Sequence, residues 1–245
     1  MVNRGYRSIL DGLFPAYCAL CGLPSQRVLP LCMPCQQELP RNNHCCARCA
    51  LPLPAPPPGV KEDRNRLCGR CLVRPPPFQR VRSPWLYGEY MAFLIQRWKF
   101  AGQTRLTALL ADLWLEALDE APAVDLLIPV PLHWRRLLGR GFNQSALLSR
   151  QLRHASPAIR QAGLDLRTVQ RCRATAPQTG MDARQRTLNL RSAFTVRQPC
   201  DNLRVAVVDD VLTTGATAAA LSTALLEAGA AHVEIWCLAR TPAPE

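Results

Sequence analysis

Beyond residue 80 the apolar positions follow two alternating rhythms. Short unbroken apolar runs, DLLIPVP at 125–131, LRVAVVDD at 203–210 and HVEIWCLAR at 232–240, suit strands buried on both faces. Between them, apolar residues recur every three or four positions: YMAFLIQRWKF at 90–100, TRLTALLADLWLEALDE at 104–120, NQSALLSRQLRHA at 143–155 and ATAAALSTALLEAGA at 216–230. That spacing predicts helices, the last of them Ala-rich and closed by Gly229. VRSPWLYGEY at 81–90 adds a strand ahead of the first helix. Strands alternating with helices predict an α/β domain built on a parallel sheet. Before residue 78 neither rhythm holds, and proline and cysteine dominate instead. The run Pro75 to Pro77 marks a boundary, which divides the chain into a small unit at 1–77 and an α/β domain at 78–245.

The chemistry of the first unit lies in its cysteines. Nine of the 12 cysteines precede residue 72, and eight of these form four Cys-x-x-Cys pairs: Cys18/Cys21, Cys32/Cys35, Cys46/Cys49 and Cys68/Cys71. Such a turn aims two thiolates at one ion, and two turns complete a tetrahedral zinc site. The last two pairs are separated by 18 residues, a ribbon-type spacing, and the first two by 10. Two structural zinc ions in tandem ribbons are therefore expected. Spacing selects Cys46 over the adjacent Cys45, and His44 beside it reads as a bystander. Interleaved pairing, in which alternate pairs share an ion, stays open. A disulfide framework is disfavoured because Arg7 and Asp11 interrupt any export signal, and a redox Cys-x-x-Cys because there are four copies and no βαβ context. LPLPAPPPG at 51–59 reads as a stiff insertion in the second ribbon. Cys172, Cys200 and Cys237 are isolated and read as free buried thiols.

Charge refines the picture because it is regional. Of 245 residues, 30 are Lys or Arg and 18 Asp or Glu, a net charge of +12, with lysine only at positions 61 and 99. Residues 130–200 carry 13 basic and 2 acidic side chains, whereas 201–245 carry 2 and 6. A stretch with so few carboxylates is an electrostatic footprint for an anion, either nucleic acid or a small polyphosphate. No segment approaches the roughly 18 uninterrupted apolar residues of a membrane span, so a cytoplasmic protein without a membrane span is expected.

In parallel sheets ligands bind beyond the carboxyl ends of the strands, which directs attention to VAVVDDVLTTGAT at 205–217. Thr213, Thr214, Gly215, Ala216 and Thr217 are small enough to wrap amides around a phosphate, with a helix N-terminus behind them. Asp209 and Asp210 stand immediately before this turn. For a bare phosphate that placement is repulsive, but it suits a ligand that also brings a vicinal diol or a divalent metal. A 5-phosphorylated ribose meets both requirements. The motif resembles the signature of the type I phosphoribosyltransferases, which bind 5-phosphoribosyl 1-pyrophosphate (PRPP) with Mg²⁺. A P-loop is excluded, since the Gly-Lys-Ser/Thr ending is missing.

PVPLHWRRLLGRGFNQ at 129–144 and RCRATAPQTGMDARQRTLNLRSAF at 171–194, together with the PRPP motif and the cysteine pairs, resemble the ComF/GntX family over nearly the whole chain. The resemblance implies a type I phosphoribosyltransferase-like domain behind a double zinc ribbon. It also implies a role in competence, meaning uptake of external DNA for transformation or as a nutrient, with other DNA-uptake proteins as partners. The family's Arg-Gly-Phe-Asn-Gln segment falls on Arg140, Gly141, Phe142, Asn143 and Gln144, and its later Gln, Arg and Asn on Gln178, Arg186 and Asn189. Arg135, Arg136 and Arg140 follow the strand where such enzymes keep a pyrophosphate loop, and are candidates for diphosphate or DNA, although HWRRLLGR also has the spacing of a helix with a solvated basic face. The stretch 171–194 reads either as a flap over a ligand or as a track for single-stranded DNA, with Trp134 and Phe142 as stacking surfaces or core residues. Trp85, Trp98, Trp114 and Trp236 read as core. No segment announces itself as a base-reading acceptor site, so a catalytically active transferase remains the alternative to a PRPP-binding protein of DNA uptake. A plain zinc-ribbon module would leave VVDDVLTTGAT without a use.

Overall fold

A computed structural model of the chain describes residues 16–59, 61, 63–120, 122–132, 134–171 and 194–243. Two short helices belong to the cysteine-rich region, α1 (Met33–Gln37) and α2 (Gly69–Val73). The α/β body follows: β1 (Arg80–Arg82), β2 (Trp85–Leu86), α3 (Glu89–Phe100), α4 (Leu106–Glu116), β3 (Leu126–Pro129), α5 (Trp134–Arg140), α6 (Gln144–Ala155), α7 (Pro157–Arg160) and β4 (Gly163–Leu164). An antiparallel pair, β5 (Val169–Arg171) with β6 (Phe194–Val196), precedes β7 (Arg204–Leu212), α8 (Ala216–Glu227) and β8 (His232–Arg240).

The main sheet runs β1-β8-β7-β3-β4 and its pairings are parallel, with β2 continuing along β8 beyond β1. The two nine-residue strands, β7 and β8, form its centre, as their unbroken apolar runs require. Alternate side chains serve opposite faces. Ala206, Val208, Trp236 and Leu238 pack with α3, α4 and α6, whereas Val205, Val207, Val233, Ile235 and Cys237 pack with α8 residues such as Leu221 and Leu225.

The four tryptophans read as core are all buried, and each indole N–H has an acceptor. Trp85 donates to Leu113 O, Trp98 to Thr107 Oγ1, Trp114 to Cys237 O and Trp236 to Glu234 Oε2. Glu234, buried in the sheet, is balanced by Arg82, whose Nε lies 2.8 Å from its carboxylate.

The cysteine-rich region packs onto this body. Cys18, Leu31 and Leu39 share one apolar cluster with Trp85, Met91 and Trp114, and Ala50 joins the cluster around Ile235. Asn42 N donates to Pro84 O at 2.8 Å, Leu86 N to Pro40 O at 2.9 Å and Arg97 to Ala19 O at 3.1 Å. Small ribbons bury little apolar surface alone, and these contacts extend their core into the larger one.

Candidate functional site

The connections from β3 and β7 leave the sheet in opposite directions. The segment after β3 runs through α6 to β4 on one side, and α8 carries the chain from β7 to β8 on the other, while β3 and β7 are direct neighbours. That reversal is the switch point of a doubly wound sheet, where a crevice opens beyond the strand ends. Residues 130–143 and 213–215 both emerge there, so the two segments singled out in the sequence meet at one place.

The turn after β7 leads into the N-terminus of α8. Gly215 caps α8 with φ 79°, a left-handed conformation that a side chain disfavours. Ala216 N donates to Thr214 Oγ1 at 3.4 Å. Beneath the turn, the buried Arg240 donates to the carbonyls of Leu212 (3.0 Å), Thr213 and Thr241 (2.8 Å). Its Nε also reaches Cys49 O at 3.2 Å, so one guanidinium ties the second ribbon to the turn. Among the described residues it has no carboxylate partner, and burial lowers its pKa, partly offset by the nearby Cys49 and Cys237 thiols.

Asp209 and Asp210 occupy the end of β7. Asp209 Oδ1 accepts from the Asp210 amide at 2.8 Å and from Ser145 Oγ at 3.4 Å. Burial and then the neighbouring Asp210 charge push the Asp209 carboxyl up to about 7, against these hydrogen bonds and the Lys99 charge. Asp210 is paired with Lys99, Nζ to Oδ1 2.7 Å, their side chains only 16–17% exposed. Lys99 lies in the last turn of α3. Lys99, Ser145 and Arg240 are the site residues that sequence reasoning missed. The rarity of lysine was the one available signal for Lys99.

The other candidates divide. Asn143 caps α6, accepting from Ala146 N at 3.3 Å and donating to Val130 O at 3.1 Å, which closes the turn after β3. Gln144 is buried, and neither amide atom of its side chain has a hydrogen-bond partner. Arg140 ends α5 and lies over the Phe100 ring, 4.6 Å from its centroid. Arg135 and Arg136 fall on α5, so the segment after β3 is helical rather than an open loop; their side chains lie outside the described ones. Gln178, Arg186, Asn189 and Cys172 lie outside the described residues.

The eight paired cysteines form two clusters, Cys18/Cys21/Cys32/Cys35 and Cys46/Cys49/Cys68/Cys71, each with its sulfurs within 4.8 Å of one another. Consecutive pairs therefore share a site, which resolves the pairing, and Cys45 and His44 stand outside both. The fit to zinc can be tested by distance. A tetrahedron with zinc–sulfur bonds of about 2.3 Å has edges of roughly 3.8 Å, and Cys21 to Cys32 measures 3.8 Å and Cys49 to Cys68 3.6 Å. Charge agrees. In each cluster burial raises the thiols, but backbone amides at the knuckle outweigh it for one cysteine, lowering Cys18 to about 6 and Cys46 to about 7. Burial and neighbouring thiols push Cys35 and Cys71 up, so four thiolates coexist only around a cation. Metal held there would fix the knuckles and, through Cys49 O, Arg240.

Strand order and the paired clusters define the class of protein: a double zinc ribbon followed by a parallel-sheet α/β domain. A double zinc ribbon domain family matches residues 9–72. The chain belongs to the ComF family. It is 37% identical over 234 residues to the DNA utilization protein YhgH of Salmonella typhi, covering 93% of this chain and 98% of that one. Competence protein F of Haemophilus influenzae is 32% identical over 223 residues, covering 86% and 90%. Competence protein ComFC of Bacillus subtilis is 28% identical over 228 residues, covering 89% and 86%. Among solved structures, a glutamine PRPP amidotransferase from B. subtilis overlaps 55% of this chain and 25% of its own at 18% identity and a TM-score of 0.34. A purine phosphoribosyltransferase from Pyrococcus horikoshii overlaps 58% and 75% at 20% identity and a TM-score of 0.31. No helix among the described residues is long and apolar enough to cross a membrane.

Proposed function

We propose that the chain binds PRPP, or a related ribose phosphate, with Mg²⁺ at the switch point between β3 and β7, and that this binding serves the handling of DNA taken up from outside the cell. One observation carries the first half: an acidic pair stands directly before a glycine-capped helix N-terminus at the crevice of a doubly wound sheet. Asp209 and Asp210 accept hydrogen bonds from the ribose hydroxyls or hold Mg²⁺ through water. The amides and hydroxyls of Thr213 to Thr217 take the 5-phosphate. Mg²⁺ supplies neutralisation of the diphosphate oxygens. Arg135, Arg136 and Arg140, with Gln178, Arg186 and Asn189, contact the diphosphate or a single DNA strand.

The relatives' names, DNA utilization and competence, support the second half, as does the basic excess of residues 130–200. The test is calorimetric titration with PRPP and Mg²⁺, followed by assay of pyrophosphate release across a panel of bases. Binding with release makes the protein a transferase. Binding without release makes it a sensor or carrier of ribose phosphate in DNA uptake.

A further inference from the structure

The turn and helix meant to receive phosphate carry no cation. Residues 213–217 and the whole of α8, ATAAALSTALLE, contain neither Lys nor Arg. Amides and a helix dipole can hold the 5-phosphate. A second anionic group, such as the diphosphate of PRPP, needs positive charge from another element. The cation described at the acidic pair is Lys99, and it is engaged with Asp210 at 2.7 Å.

Three features make this pair suited to exchange. The first is the residue type. In a chain with 28 arginines and two lysines, the group at this carboxylate is an ammonium. A guanidinium would grip Asp210 through a planar fork, whereas an ammonium on a flexible four-carbon stem makes a point contact that is released more readily. The second is position. Lys99 lies in the last turn of α3, and Gly102, with φ 64°, turns the chain just beyond the helix. Next to it, Phe100 lies under Arg140, so the segment after β3 converges on the same helix end. The third is electrostatic need. With no ligand present, two adjacent carboxylates at the end of β7 repel one another, and a nearby cation relieves that repulsion. A ribose diol or hydrated Mg²⁺ at the pair removes the need.

We propose that Lys99 is an exchangeable counter-ion that neutralises Asp210 in the empty site and pairs with the ligand's diphosphate in the filled one. This rests on the ribose-phosphate reading above and adds a selectivity to it. PRPP replaces the ion pair it breaks, while ribose 5-phosphate breaks the pair and offers nothing in return. Lys99 therefore favours PRPP over ribose 5-phosphate.

The test is titration of the zinc-loaded protein with PRPP and, separately, ribose 5-phosphate, each with Mg²⁺, for wild type and Lys99→Met. A charge-assisted contact predicts that the preference for PRPP over ribose 5-phosphate falls roughly 10- to 100-fold. Ribose 5-phosphate affinity should hold or tighten. Lys99→Gln, which keeps a hydrogen bond to Asp210 without the charge, should behave likewise and serves if the methionine variant does not fold. A parallel fall for both ligands would make Lys99 a structural prop, and wild-type affinity for both would remove it from the site; either leaves the preference unchanged and overturns the proposal. Wild type that binds neither ligand refutes the ribose-phosphate reading itself, a different failure from these.

Discussion

Replacing Arg240 with methionine keeps most of the side chain's length and deletes its hydrogen bonds. The guanidinium serves carbonyls on three separate stretches: Cys49 in the second ribbon, Leu212 and Thr213 at the phosphate turn, and Thr241 beyond β8. Each bond from a charged donor contributes about 1.5–3 kcal/mol. The four are not additive, because the carbonyls share one donor group and some regain water once it is gone. The guanidinium, 4% exposed, also costs several kcal/mol to desolvate, and its removal returns that. The net expectation is a loss of about 3–5 kcal/mol, which lowers the melting midpoint of a chain of this size by roughly 10 °C. The bridge gives a second readout. With Cys49 O released, zinc should leave the second cluster faster under a chelator, while the first cluster, which has no bond to Arg240, keeps its rate. A zinc ion with four thiolates carries two negative charges, and removing the adjacent cation works in the same direction. Thermal melting followed by absorbance of a zinc-binding dye measures both. A midpoint within 2 °C of wild type, or equal acceleration of both zinc ions, would refute the role assigned to this arginine.

Two other substitutions read separate parts of the account. Gly215→Ala meets open space, so its cost is the left-handed backbone alone, about 1–2 kcal/mol, and the midpoint should drop by a few degrees; an unchanged midpoint would mean the turn relaxes freely. Burial raises the Glu234 carboxyl, but the hydrogen bond and charge of Arg82 outweigh it and hold it below its ordinary 4.5, so the stability it contributes is present above that value and lost as pH falls through the folded one. The midpoint gap between wild type and Glu234→Gln should therefore close as pH is lowered below about 4.5, and a gap independent of pH would contradict the ion pair.

Much of the fold was legible because its signals are local. The unbroken apolar runs of β3, β7 and β8 and the periodic segments of α3, α4, α6 and α8 each declare themselves within a dozen residues. So do the Cys-x-x-Cys turns, and the VVDD-to-TTGAT motif needs only its own neighbours. What escaped is what the fold brings together from afar. The tandem cysteine pairing was expected from spacing, and only the exclusion of the interleaved alternative needed the stacked knuckles. The contact of Lys99 with Asp210 spans α3 to β7, and that of Arg240 with Cys49 spans β8 to the second ribbon. No periodicity encodes such pairings, and the apolar residues of the ribbons gave no sign that Cys18 and Leu31 would complete the core around Trp85. The helical spacing of HWRRLLGR was visible in the sequence beside the loop reading, and α5 decides between the two.

The central claim is that the acidic pair and the turn after it form one ribose-phosphate site. Titration calorimetry with PRPP and Mg²⁺ tests it directly when wild type is compared with the Asp209→Ala, Asp210→Ala double variant under conditions where both melt cooperatively. The account predicts saturable binding by wild type and a loss of at least about 100-fold in the variant, since two charged acceptors are removed at once. Wild type that takes up no PRPP, or a folded variant that binds it equally well, would contradict the claim.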